Sequence, residues 1–122
     1  MTDAVVELAR RRKGQAPPPW VIYEVLRDPL SGHRQWFNLQ PGEVAPTILE
    51  DERPHRIVWS SIWTDRQDLR IEFTIEDDGG SGSMVTWTLL GTTTLDPADI
   101  RLRRYRLNQL INDRMRNILF DA

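Results

Sequence analysis

Pro97–Asp121 reads PADIRLRRYRLNQLINDRMRNILFD. Between Asp99 and Asp121 there is no Gly or Pro, so one helix is free to run over Asp99–Phe120. Asp96 ahead of Pro97 suits an N-cap followed by proline at the first helical position. At about 100° per residue, Ile100, Leu107, Ile111 and Ile118 fall on one line, flanked by Leu110, Met115 and Leu119. That stripe predicts a helix covering something apolar. Arg104 and Arg114 interrupt it. Two fates are open to them: snorkelling to the rim, or reaching inward to hold an anionic ligand group or a buried carboxylate. Leu102 and Tyr105 lie on the other side and suggest a contact surface.

The partner of this helix is written upstream. Asp68–Glu76 alternates, with Leu69, Ile71, Phe73 and Ile75 on one side and Arg70, Glu72, Thr74 and Glu76 on the other. After the turn residues of 77–82, Ser83–Gly91 predicts a further strand with Val85, Trp87 and Leu89 on its bulkier face. Before it, Arg56–Trp63 is β-branched and aromatic, Thr64–Gln67 reads as a hairpin turn, and Thr47–Asp51 as a short strand. Gln40–Glu43 reads as a turn. Nearer the start, Ala4–Ala9 reads as a strand, running into the basic Arg10–Lys13 as a solvated strand end. Pro17–Pro19 leads into a helix over Trp20–Arg27 that Asp28–Pro29 stops. Ser31 is placed to cap a second short helix holding His33, Trp36 and Phe37.

Totals narrow the function. The chain has 122 residues, enough for one domain with a real core. It has no cysteine, so disulfides, thiolate ligands and thiol nucleophiles are excluded; this composition fits a cytoplasmic location. No run of about 18 apolar residues offers a transmembrane span, and the first residues do not follow the order of a secretory signal. Two histidines, His33 and His55, and no HExxH argue against a metal site, and no motif calls for a cofactor. The net charge of −2 divides unevenly: residues 99–121 carry +3, 1–13 carry +2 and 14–98 carry −7. A basic helix on an acidic body fits internal and intersubunit pairing better than nucleic-acid binding. Fifteen of the sixteen basic residues are arginine, a compositional bias. No catalytic constellation stands out; His33 is the candidate general base, with capping as its structural alternative. The five tryptophans read as aromatic core or as cavity wall, with core favoured for any one of them.

The order strand, short helices, antiparallel strands and long final helix resembles the helix-grip fold of the START, polyketide-cyclase and birch-pollen-allergen superfamily, SRPBCC. The matching residues are Pro18–Pro19–Trp20 with Val25–Leu26, Asp28–Pro29 and Trp36; the acidic, proline-centred turn Glu50–Trp59; and the hairpin from Ile71–Phe73 through Gly79–Ser81 to Thr86–Leu89. The resemblance implies an α+β domain over residues 1–122, with a curved antiparallel sheet of about five to seven strands around the C-terminal helix. Five strands are countable here, fewer than the family usually has, so an open cavity closed by a second subunit is a reasonable consequence. The implied function is binding of a hydrophobic or amphipathic small molecule, lipid-like or aromatic, between sheet and helix. Expected walls are Trp59, Phe73, Trp87, Leu107 and Ile111, with Arg104 or Arg114 at one end. Two alternatives remain: a cyclase/dehydratase-like enzyme, and a co-chaperone-like interaction module. A homodimer is expected from the short sheet, the charge split, and Leu102 with Tyr105.

Overall fold

A computed structural model describes residues 5–30 and 36–120. Five strands form one antiparallel sheet: β1 (Val6–Gln15), β2 (Ile48–Glu52), β3 (Arg56–Ser60), β4 (Arg70–Asp77) and β5 (Ser83–Gly91). Their spatial order is β1-β5-β4-β3-β2, so the chain's first strand crosses over to pair with the last. Register sets the faces. Phe73 stands opposite Trp87, Ile71 opposite Leu89 and Ile75 opposite Val85, which places the alternating apolar set on a single face. Trp59 joins it opposite Ile71, and Ile57 opposite Phe73.

That face meets two helices. The first, α1 (Pro19–Arg27), starts with proline in its first turn and buries Ile22, Tyr23 and Leu26. The Trp59 indole N–H donates to the Leu26 carbonyl at 2.8 Å, tying α1 to β3. The second is the C-terminal helical run, in three parts: α2 (Pro97–Asn108), a π-helical segment (Gln109–Met115) and α3 (Arg116–Phe120). Leu107, Leu110, Ile111 and Met115 are fully buried against the sheet. The expected α+β architecture, an antiparallel sheet with a long C-terminal helix on its apolar face, is thus present.

Several details differ from the sequence reading. β1 extends through the basic run to Gln15, because Arg10–Lys13 pair with Thr88–Val85 on β5. Trp36 and Phe37 are not helical; they bury as loop residues, their rings tilted together at 5.8 Å, while His33 lies outside the described residues. One helix, not two, therefore precedes β2 among the described residues. Asp96 caps α2 without a side-chain hydrogen bond. Trp20 is exposed at the start of α1, whereas the other four tryptophans are buried.

The stripe on the long helix also departs from an ideal wheel. Observed burial follows Arg103, Leu107, Ile111, Met115 and Leu119, each four apart, and leaves Ile100 and Ile118 half-exposed. In a pure α-helix a four-residue step drifts about 40° around the axis. The wider π turns of Gln109–Met115 take up that drift and keep one line of side chains on the sheet.

Candidate functional site

Among the described residues, a groove suited to hold another molecule lies beside α2. There the turn at Gln40–Glu43 and the segment Trp63–Asp65 leave a groove of about 560 Å³ against Leu102, Tyr105 and Gln109. Gly42, at φ 83°, allows the turn, and Glu43 bridges to Trp63 as an isolated antiparallel pair. Thr64 donates to the Gly42 carbonyl through its backbone N–H at 3.0 Å and its hydroxyl at 3.1 Å. The two groove walls are thereby fixed to each other.

Two arginines form the base. Arg106 is bidentate to Glu43, Nε to Oε2 at 2.8 Å and Nη2 to Oε1 at 2.7 Å, with both side chains buried. Its Nη1 donates to Gln109 at 2.9 Å and to the Asn38 side chain at 3.3 Å, and its Nη2 to the Asn38 carbonyl. Glu43 also accepts the Gln40 N–H at 2.9 Å. Arg103 lies over the Trp63 indole, 4.9 Å from the ring centre, and bonds Asp99 and Asp65 at 3.0 Å each. Arg103's hydrogen bond lowers the Asp65 carboxyl below its ordinary range, and its charge adds to the effect. The cations of the groove are thus already committed to carboxylates.

The sequence-predicted site residues fall elsewhere. Trp59, Phe73, Trp87, Leu107 and Ile111 all belong to one apolar cluster and are at most 1% exposed. Within it, Trp59 stands edge-on to Phe73 at 4.6 Å and stacks with Trp36 at 6.2 Å. The Trp87 indole donates to Asn108 at 3.2 Å, and the Asn112 amide donates to the same oxygen at 2.9 Å. None of these five lines the groove beside α2. Arg104 is exposed on the outer side of α2. Arg114 is half-buried, its Nε donating to the Trp36 carbonyl at 2.6 Å at the edge of a smaller groove of about 200 Å³. Sequence reasoning missed Arg103 and Arg106, since a wheel that counts apolar residues gives a buried arginine no weight. Asp99 and Arg103, four apart, were the one readable sign. Among the described residues no group of three or more His, Cys, Asp or Glu could hold a metal ion.

Comparison with solved structures decides what this architecture is. CalU16 from Micromonospora echinospora superposes with a TM-score of 0.55 at 19% identity, covering 74% of this chain and 68% of that one. An AHSA1-like protein from Rhizobium etli superposes at 0.52 and 18% identity, covering 88% and 80%. The chain has the helix-grip fold. At these identities the likeness shows the fold alone. No protein-family model and no curated protein matches the sequence. No described helix is long and apolar enough to cross a membrane.

Proposed function

We propose that this helix-grip chain is a cytoplasmic binder of a hydrophobic or amphipathic small molecule, lipid-like or aromatic, and that the groove beside α2 receives it. The observation that carries the reading is the groove itself: about 560 Å³, with Trp63, Leu102 and Tyr105 among its walls. That volume is in the range of small-molecule sites, which combine apolar walls with a few placed polar groups. Gln40, Thr64 and Gln109 supply those groups. Because Arg103 and Arg106 are already paired, hydrogen bonding rather than charge would orient the ligand. A polar, uncharged head on a flat or aliphatic body fits best. Catalysis has little to work with here, since Glu43, the buried carboxylate of the groove, is held bidentate by Arg106.

The test is an amide NMR titration of the full chain with neutral aromatic and aliphatic amphiphiles, beside fatty acids. Saturable shifts at Thr64, Tyr105 and Gln109 are expected from the neutral set. Shifts centred on Phe73, Trp87 and Ile111 would move the site into the sheet–helix interior. No saturable shift from any of them would end the reading.

A further inference from the structure

Over residues 101–106 the polarity of α2 is inverted. Arg103 and Arg106, 7% and 5% exposed, face the body of the protein, while Leu102 and Tyr105, 71% and 70% exposed, face outward. A helix that covers a core ordinarily does the reverse. Arg101 and Arg104 are exposed on the same outward arc, since positions 104, 101, 105 and 102 span about 160° around the axis. Neither of these arginines has a carboxylate partner among the described residues.

We propose that a second copy of this chain covers this face in a twofold arrangement, Leu102 and Tyr105 of each copy closing the groove of the other. Three observations fit a second copy. Leu102 and Tyr105 form the lip of the groove as well as the outward patch, so donor and receptor surfaces are adjacent, as a self-complementary contact requires. The charges are complementary. Among the groove residues, Glu43, Asp65 and Asp99 outnumber Arg103 and Arg106, and the Asp65 side chain is 70% exposed. The outward arc brings Arg101 and Arg104 to that net negative lip, so the twofold contact sets arginine against aspartate. Finally, the groove is open to solvent, whereas small-molecule sites bury most of their ligand. A partner's tyrosine and leucine would complete the wall. That last point rests on the groove being a ligand site; the contact itself stands on α2.

Sedimentation of the full chain from low to high micromolar concentration tests the interface. A dimer mass is expected for the parent, weakened by salt because charges ring the contact. Tyr105→Glu and Arg104→Glu, both exposed positions, should keep the parent's circular dichroism spectrum and raise the dimer dissociation constant at least about tenfold. A monomer mass at high micromolar concentration overturns the proposal. So does a dimer indifferent to both substitutions, or a mass that grows past the dimer. The ligand titration separates the two readings. A dimer showing no ligand shifts leaves the interface and removes the binding site; a monomer with shifts does the opposite.

Discussion

Replacing Arg106 by methionine probes a side chain that joins α2, the 40–43 turn and the loop at Asn38. The arginine donates to Glu43 twice, to Gln109, and to Asn38 through both its side chain and its carbonyl. Methionine keeps much of the apolar stem but leaves the Glu43 carboxylate, 4% exposed, with the Gln40 N–H as its remaining hydrogen bond among the described residues. Breaking a buried pair in this way costs about 3–5 kcal/mol, because an uncompensated charge stays behind. A domain of this size has about 5–15 kcal/mol in total, so the loss is a large share. Glu43→Gln removes the charge but keeps an acceptor, and Arg106 retains Asn38 and Gln109; about 1–3 kcal/mol is expected. The combined Glu43→Leu and Arg106→Met variant should lose about 1–3 kcal/mol less than the sum of its single changes. Urea unfolding followed by tryptophan fluorescence measures all of these. If Arg106→Met unfolds within about 0.5 kcal/mol of the parent, the pair does not hold α2 to the groove wall, and the account of the site's base fails.

The Gln15 side chain is buried, and neither amide atom has a hydrogen-bond partner among the described residues, so Gln15→Met should stabilise the fold by about 1–3 kcal/mol; an unchanged or lower urea midpoint would mean the amide has a partner in solution. Ile111→Ala, at a fully buried position under the sheet, should cost about 2–5 kcal/mol in the same assay. Arg66 is bidentate to Asp68 at 2.8 Å and holds its carboxyl well below the usual range. A lowered folded value makes this stabilisation whole above the unfolded value, about 3.9, and lost as pH falls below it toward the folded value. Arg66→Met should therefore flatten the fall of stability below about pH 4, and an unaltered slope would contradict the pairing.

The sheet was legible because its period is plain: Leu69, Ile71, Phe73 and Ile75 are all fully buried, as strict alternation requires. The existence of the long helix was equally legible. Its azimuth was not, because a 100° wheel assumes α-geometry throughout and Gln109–Met115 is wound differently. The wheel therefore singled out Arg104, which is exposed, and passed over Arg103 and Arg106. Their burial depends on partners far along the chain: Glu43 lies 63 residues from Arg106, and Asp65 lies 38 from Arg103. Pairings at that separation leave no local pattern. Trp36 and Phe37 illustrate the same limit, since both bury against Trp59, Trp36 stacked on its ring and Phe37 tilted to it.

The π-wound segment has a consequence for how this chain tolerates change in length. Substitutions within Gln109–Met115 alter contacts one at a time, but inserting one further residue there would swing Arg116–Phe120 by about 100° relative to α2. Leu119 would leave the apolar cluster, while the ion pairs of Arg103 and Arg106 upstream kept their places. The segment thus works as a phase adjuster between two ends of one helix. The first end is keyed to a charged groove and the second to a greasy interior. A change of residue count within those seven positions therefore moves every contact downstream together, whereas a substitution moves one.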